Sequence, residues 1–177
     1  MTEKEERLIR AAILNGYMKY VRKKWGEIGV KEALNYAGLK KTPKDGEWVP
    51  LKTTYSILHW IADKHGKEHV PYAGKEMIRN LTGDFRLLFA SVIGFDRMLN
   101  KVQSFVSKFL FQGNGVEVVK GDHEATIRLK DFRIDDISCL SWKGALMGAL
   151  EITKTAGTVE IMDSGNERDC LFHVKWE

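Results

Sequence analysis

The first part of the chain has apolar residues at the spacing of an α-helix. Residues 3–24 place acidic side chains first and basic side chains last, an order that suits the helix dipole. The apolar positions in this stretch are Leu8, Ala11, Ala12, Leu14, Met18 and Val21. Gly26 and Gly29 interrupt the pattern, and a second helix is predicted from Val30 to Ala37. Two prolines, a glycine and several charges predict a loop over 40–50.

Three further helical patterns precede residue 112. Thr53 or Thr54 can cap a helix that closes at Gly66, and another helix is predicted to start near Pro71. The third pattern, Asp84–Phe111, is apolar on more than one face and has a glycine within it that can kink or divide it. Such a helix is expected to be buried centrally, to pack against a second copy of the chain or to line a cavity.

From Val116 onward the apolar residues alternate with polar ones, which is typical of β-strands. One hairpin is predicted from strands 115–120 and 123–131, and a helix from about Ser141 to Thr153. A second hairpin pairs a strand through Val159 and Ile161 with a strand whose inward face is apolar. The inward residues of that last strand are Cys170, Phe172, Val174 and Trp176.

These elements predict an α+β fold in which an N-terminal helical bundle packs on a four-stranded antiparallel sheet. The order is helices, hairpin, helix, hairpin. We expect a single ligand-binding domain over 1–177, with a helical part at 1–112 and a hairpin–helix–hairpin part at 113–177. The length of 177 residues and the apolar fraction of 44% are enough for one such core.

Composition and charge bear on where the protein is expected to act and on what it is expected to bind. No apolar run approaches the roughly 20 residues of a bilayer span, and the start lacks an apolar signal region. With only 2 cysteines, we expect a cytoplasmic protein with reduced thiols. Up to residue 112 there are 20 Lys+Arg against 12 Asp+Glu, but acidic residues are interleaved with the basic ones. A solvated surface is therefore favoured over nucleic-acid binding.

Two glycines lie four residues apart in the helix predicted after residue 141. Gly144 and Gly148 fall on one face, where each costs about 1 kcal/mol of helix stability relative to alanine. Two explanations remain open. The backbone of this helix packs closely on the sheet, or a ligand lies against the bare backbone.

The same region carries a resemblance to a known superfamily. The Gly144–Gly148 helix, the strand Val159–Met162, the following turn and the segment Cys170–Trp176 resemble 4-vinyl reductase domains, haem–NO/oxygen-binding (H-NOX) sensors and TRAPP subunits of Golgi transport. Bacterial or archaeal members of unassigned role are nearest, and about 40 residues match well. The resemblance implies helices and a four-stranded sheet around an apolar pocket for haem, a tetrapyrrole-related or aromatic molecule, or an acyl chain. It also implies a sensory role and a homodimer formed through helices.

The chain departs from these relatives in two ways. Asp163 and Ser164 stand where 4-vinyl reductase-type domains often have a cysteine, which weakens a cysteine metal site. H-NOX sensors have a proximal histidine on a central helix and a Tyr-Ser-Arg motif, whereas residues 84–111 contain no histidine. Haem held in the H-NOX manner is therefore not expected, and His59 is the candidate axial ligand if haem binds at all.

Methionine and aromatic residues are the candidate pocket lining, because they adapt to apolar ligands. We expect the ligand-binding residues to be Phe85, Phe89, Met98, Phe105, Phe109, Trp142, Gly144, Met147 and Gly148.

Other chemistry has weaker support. His65 and His69 are spaced four apart, but the sequence around them predicts a loop, so a metal site is not expected. Cys139 and Cys170 can bridge only if the fold brings their backbones together. We predict Cys170 to be a small buried hydrophobe, with a redox role as the alternative. Asp135 and its neighbouring aspartate indicate a loop or a helix cap.

The sequence shows no catalytic constellation, so we expect no enzyme activity. The function predicted is a sensory or binding module for a small hydrophobic or aromatic ligand, with haem or another tetrapyrrole among the possibilities. Binding would be passed on by dimerisation or by a protein partner. The alternative is a scaffold subunit whose core is filled or holds a lipid. The sequence leaves open the ligand, the oligomeric state and the partner.

Overall fold

The computed structural model describes residues 6–81, 94–105 and 115–177. The helices in these ranges are α1 (Ala11–Tyr36), α2 (Leu51–His65), α3 (His69–Arg79), α4 (Phe95–Phe105) and α5 (Asp136–Ile152). The strands are β1 (Leu8–Arg10), β2 (Trp48–Pro50), β3 (Val116–Lys120), β4 (Glu124–Leu129), β5 (Gly157–Met162) and β6 (Cys170–Trp176).

The predicted α+β architecture is confirmed. β3 to β6 form one antiparallel sheet in the order β3-β4-β6-β5, so each predicted hairpin is present and β4 joins the two hairpins through β6. Residues two apart in a strand point to the same face of the sheet, and apolar residues alternate with polar ones, so one face of the sheet is apolar. Its buried members on the two central strands are Ala125, Ile127, Leu129, Cys170, Phe172, Val174 and Trp176.

A second, two-stranded sheet was not predicted. The first helix was expected to start at residue 3, and 40–50 was expected to be a loop. Instead, β1 pairs antiparallel with β2, and α1 starts only at Ala11. Ile9 is fully buried in this pairing, and the Arg10 guanidinium lies 3.9 Å from the ring centre of Trp48 across it. The partners are far apart in sequence, so helical periodicity near the N-terminus could not show them.

Two glycines with positive φ lie where the sequence predicts a break in a helical pattern. Gly26 has φ +67° and breaks the helical conformation within α1, which otherwise continues to Tyr36. Gly94 has φ +88° and directly precedes α4, which starts within the long predicted helix. The remainder of the predicted helix Asp84–Phe111, outside 94–105, lies outside the described residues.

The observed starts of two other helices differ from the predicted starts by a few residues. α2 starts at Leu51 with Pro50 at its N-cap, so neither predicted threonine caps it, and Thr54 is instead buried within the helix. α5 starts at Asp136 rather than near Ser141. The Asp135 carboxylate caps it by accepting hydrogen bonds from the backbone N–H groups of the next turn.

The glycine face of α5 packs on helix α3, whereas the close-packing explanation from sequence placed it on the sheet. A Cβ at Gly144 would overlap the backbone carbonyl of Pro71, and one at Gly74 would overlap the carbonyl of Ser141. A Cβ at Gly148 would lie 3.1 Å from the Lys75 carbonyl oxygen. The two helix backbones are therefore in direct contact, and α3 fills the space that a ligand would need. In the described part of the chain, no helix is long and apolar enough to cross a membrane.

Candidate ligand-binding site

A buried polar network joins α5 to the N-terminal helices. The Ser141 hydroxyl donates to the Tyr17 hydroxyl at 2.8 Å, and Trp142 Nε1 donates to the Tyr55 hydroxyl at 2.6 Å. All four residues are buried. We call these four residues the tyrosine seam. Buried polar groups need such partners, so the seam fixes how α5 sits against α1 and α2.

Both tyrosines of the seam stay protonated. Burial raises the pKa of the Tyr17 hydroxyl, against a smaller lowering by its hydrogen bond with Ser141. Burial also raises the pKa of Tyr55 well above its usual value, and the nearby Tyr17 adds to this. An indole N–H can only donate, so the Tyr55 oxygen is the acceptor of its bond and keeps its own hydrogen. Among the described residues, no acceptor takes that hydrogen.

Next to the seam lies an arginine with an unpaired nitrogen. The Arg7 guanidinium sits 4.6 Å from the ring centre of Phe132, and Phe132 packs edge-on against Trp142 with ring centres 5.9 Å apart. Arg7 Nη2 is 3.7 Å from Asp131 Oδ2. Arg7 Nη1 is buried and has no hydrogen-bond partner in the described part of the chain. The charge of Arg7 also acts to lower the pKa of Tyr55, against the larger effect of burial.

We call Arg7, Tyr55, Phe132 and Trp142 the Arg7 site. It offers one unpaired guanidinium N–H and one tyrosine hydroxyl hydrogen beside two aromatic rings. Guanidinium groups bind carboxylate oxygens strongly, and aromatic rings bind apolar surface. The side chain of Arg7 is 22% exposed, whereas its Nη1 atom is buried. The arrangement suits a ligand with an apolar body and an acceptor oxygen at one end.

The nine residues predicted to bind ligand are only partly brought together. Trp142 lies in the Arg7 site, while Met98 is 2% exposed on α4. Met147 is 39% exposed on the outside of α5. Gly144 and Gly148 lie against α3. Phe85, Phe89 and Phe109 fall outside the described residues, as does the side chain of Phe105.

Sequence reasoning missed Arg7, Tyr55 and Phe132 as members of a site. Arg7 looked like one basic residue among several in a predicted amphipathic helix, and Phe132 stood in a loop. No local pattern marks these residues, because they meet only through the long-range packing of β1, α2 and the segment before α5. Tyr55 falls within the helix that the sequence predicts to close at Gly66, and it is buried.

His59 lies on α2 and faces the start of α5. Its Nε2 is 2.9 Å from Asp135 Oδ2. The same carboxylate accepts from the backbone N–H groups of Ile137 at 2.9 Å and Ser138 at 3.2 Å, so Asp135 is a helix cap, in line with the sequence prediction. His59 therefore ties α2 to the first turn of α5.

Each of the five histidines contacts another side chain in the described structure. All 5 lie in described ranges, and none is on α4. His59 directs its Nε2 at a carboxylate, and His173 Nε2 lies 3.1 Å from Glu124 Oε2. His123 is largely exposed beside Asp122. The two remaining histidines pack around a tryptophan, so the described residues supply no histidine that faces the Arg7 site without a partner.

That tryptophan is Trp25, at the kink of α1. The His65 ring stacks on it with ring centres 3.8 Å apart, and the His69 ring lies edge-on at 5.4 Å. His69 Nδ1 is 2.8 Å from the Tyr20 hydroxyl. His65 ends α2 and His69 begins α3, so they straddle a loop as predicted. Within the described ranges, no three His, Cys, Asp or Glu residues are grouped to hold a metal.

The two cysteines form a disulfide, with Cα atoms 5.5 Å apart. The expectation of reduced thiols, with Cys170 as a free hydrophobe, was therefore wrong, although Cys170 is buried as predicted. The bond joins α5 to the start of β6. The sequence could set only a condition for it, because the two elements meet through the sheet topology.

Comparisons with known proteins find similarity at the level of structure. No protein-family profile and no curated protein matches the sequence. An oxygen-binding H-NOX domain related to soluble guanylate cyclases, solved as its oxygen complex, matches with a TM-score of 0.71 and 16% identity over 95% of both chains. An H-NOX protein from S. oneidensis in the Fe(II)NO ligation state has a TM-score of 0.71 and 14% identity, over 95% of this chain and 99% of that one.

A Cs H-NOX mutant that carries the unnatural amino acid 4-cyano-L-phenylalanine also matches, with a TM-score of 0.73 and 15% identity over 95% of this chain and 96% of that chain. Identities this low establish the fold alone. The H-NOX sensors are among the relatives suggested by the sequence, and this chain shares their fold.

Proposed function

We propose that this chain is a non-enzymatic sensory or binding module for a small hydrophobic or aromatic molecule that carries an acceptor oxygen, such as a carboxylate. Occupancy would be passed on through self-association or a protein partner. The shared fold supports this, because it covers 95% of a chain solved as an oxygen complex and of this one. The ligand itself is inferred from the residues of this chain.

The observation that carries the proposal is the unpaired nitrogen of Arg7. A buried donor without a partner costs about 1–3 kcal/mol, and more when the group is charged. A ligand oxygen that reached Arg7 Nη1 would satisfy this donor, and the Tyr55 hydroxyl is the second donor at the Arg7 site. The rings of Phe132 and Trp142 would then contact the apolar body of the ligand.

The proposal also includes the residues that would enclose the apolar end of a ligand at the Arg7 site. Met98 on α4 and the predicted residues Phe85, Phe89, Phe105 and Phe109 would enclose the apolar end. Ligand binding would stabilise one arrangement of the helices and so shift a population of conformers. A partner or a second copy would then recognise that arrangement.

The test is ligand binding by native mass spectrometry and thermal shift, with matched pairs of aromatic carboxylates and their neutral primary amides. The carboxylates are expected to raise the melting temperature more than the amides, and Arg7→Met to abolish this preference. Arg10→Met is the control, since Arg10 stacks on Trp48 in the β1–β2 sheet. No shift with any ligand, or an unchanged preference in Arg7→Met, would contradict the proposal.

A scaffold role is the second candidate, and the packing of α5 favours it. The tyrosine seam joins α5 to α1 and α2, and the close approach of Gly144 to the Pro71 carbonyl leaves no space between α5 and α3. A filled core suits a subunit that only assembles with others. Light scattering after size exclusion, followed by partner capture, separates the two roles. A stable complex that forms equally well with Arg7→Met would favour the scaffold.

A further inference from the structure

The Cys139–Cys170 disulfide lies at a surface cleft. The cleft has a volume of about 550 Å³ and is lined by both cysteines, with Lys67 and Arg133 among its polar residues. Cys139 is 5% exposed and Cys170 is 1% exposed, so the sulfur atoms form the floor rather than the rim. The cleft gives a thiol-bearing molecule a route to a disulfide that is otherwise enclosed.

The surroundings of the two sulfur atoms differ. Cys139 is in the first turns of α5, where the helix dipole stabilises negative charge, while the Asp135 side chain caps the backbone N–H groups of Ile137 and Ser138. Lys67 and Arg133 line the same cleft together with Asp136, Asp163 and Asp169, and Arg133 Nη2 lies 2.8 Å from Asp136 Oδ1. Helix N-termini and nearby cations lower the pKa of a cysteine thiol, and a thiol of low pKa leaves more readily in exchange. Cys170 starts β6 and has no helix of its own.

We propose that this cleft is a thiol–disulfide exchange site for a dithiol reductant, and that the redox state of the pair controls the first turns of α5. One thiolate of the dithiol attacks Cys170 Sγ, the bond between the two cysteines breaks, and Cys139 leaves as a thiolate. The second thiol of the reductant then attacks the mixed disulfide and releases Cys170 as a thiolate. The pair gains two electrons, and the reductant becomes a cyclic or internal disulfide.

Hydrogen bonds beside the disulfide keep the reduced protein folded. The backbone N–H of Arg133 donates to the Arg168 carbonyl at 2.9 Å, and the backbone N–H of Asp131 donates to Asp169 Oδ1 at 3.0 Å. Arg128 Nη1 also donates to Asp169 Oδ2 at 3.0 Å. These bonds hold the segment before α5 on the segment before β6 without the cysteines. Reduction would therefore free α5 locally and leave the sheet intact.

The first turns of α5 connect the cleft to the tyrosine seam. Trp142 lies three residues after Cys139, on the same side of the helix, and donates to Tyr55 in α2. Asp135 at the N-cap contacts His59, also in α2. Loosening these turns would change both contacts. The redox state of the disulfide would thus affect α2. This proposal does not depend on whether a ligand binds at the Arg7 site.

The exchange is tested by treating native protein with dithiothreitol, alkylating at intervals and counting labelled cysteines by mass spectrometry. Reduction through the cleft is expected to double in rate when the dithiol concentration doubles, and to be unaffected by low urea. A disulfide that opens only by global unfolding would react at a rate that rises with urea and saturates with dithiol. That result would overturn the proposal.

Variants test the role of the surroundings. Lys67→Gln and Arg133→Gln are expected to slow reduction severalfold, while Lys24→Gln, which changes a lysine outside this cleft, leaves the rate unchanged. Hydrogen exchange should rise in residues 136–142 on reduction, with a change in Trp142 fluorescence. Cys139→Ser/Cys170→Ser should match the reduced protein, and if it does not fold, reduced and alkylated wild type replaces it. Identical exchange in oxidised and reduced protein would contradict the coupling to α5.

Discussion

At the scale of single residues, His65 gives a pH dependence. Burial lowers the pKa of His65, and the nearby His69 lowers it further. A base whose pKa is lower in the folded state contributes stability above its unfolded pKa, and this is lost as pH falls through the folded value. The free energy of unfolding is therefore expected to decrease as the pH drops below about 6.5, the usual pKa of histidine.

The measurement is urea unfolding between neutral and mildly acidic pH. His65→Gln should reduce the loss of stability on acidification, because it removes the group that resists protonation. His123→Gln is the control, since that ring is largely exposed. An unchanged pH dependence in His65→Gln would show that another group is responsible.

Tyr55 allows a second residue-scale prediction. Tyr55→Phe removes the acceptor of Trp142 Nε1, whose buried N–H is expected to lose its bond to this side chain at a cost of about 1–3 kcal/mol. Tyr36→Phe is the matched control, because the Tyr36 hydroxyl bonds to Asp63 at the surface and should contribute at most about 1 kcal/mol. Equal losses in the two variants, measured by urea unfolding, would contradict a structural role for the seam.

Single residues were the hardest feature to predict from the sequence. The burial of Phe172 and Val174 followed from alternation along one strand, which is a local property. The partners of Arg7 and Cys139 did not follow, because each partner lies on an element far away in the chain. Periodicity tells which side of an element is buried, but it does not tell which element covers it.

At the scale of elements, the contact of α5 with α3 depends on glycine. Gly144→Ala is expected to destabilise the fold by about 1–3 kcal/mol or more, because the added methyl group meets the rigid Pro71 backbone. Gly148→Ala should cost less, since its neighbours include the movable Ile78 side chain at 3.2 Å. Gly46→Ala is the control, as a Cβ there meets nothing within 4 Å.

Urea unfolding of the three glycine variants checks this order. If Gly144→Ala were as stable as Gly46→Ala, α5 and α3 would have to be farther apart than the structure places them. A Gly144→Ala variant that kept its stability and lost ligand affinity would argue instead for a ligand against the bare backbone.

The same scale shows where sequence patterns work and fail. The hairpins were predicted well because their strands are adjacent in the chain and share one turn. The β1–β2 pair was missed because its two strands have three residues each and lie about 40 residues apart. Strands this short carry too little alternation to outweigh the helical pattern that follows β1.

At the scale of the whole molecule, the disulfide closes a loop of 31 residues between α5 and β6. Closing a loop of this size in the unfolded chain stabilises the native state by about 3–4 kcal/mol. Cys139→Ser/Cys170→Ser is therefore expected to unfold at lower urea than the oxidised protein, with a cooperative transition. A midpoint equal to that of the oxidised protein would contradict this entropic contribution.

The similarity to H-NOX domains shows the fold of this chain. The contacts of its histidines nevertheless lead us to expect no histidine-ligated haem. Each histidine contacts a carboxylate, a tyrosine or a tryptophan, and α4 carries none. Added hemin is therefore expected to give no spectrum of a histidine-ligated haem, and His59→Ala to leave its absorption unchanged. Losing the contact with Asp135 should still lower stability slightly, by at most about 1 kcal/mol, because the pair is partly exposed. A sharp Soret band that disappears in His59→Ala, with the fold intact by circular dichroism, would mean that the His59–Asp135 contact gives way to iron and that haem is a ligand of this fold here too.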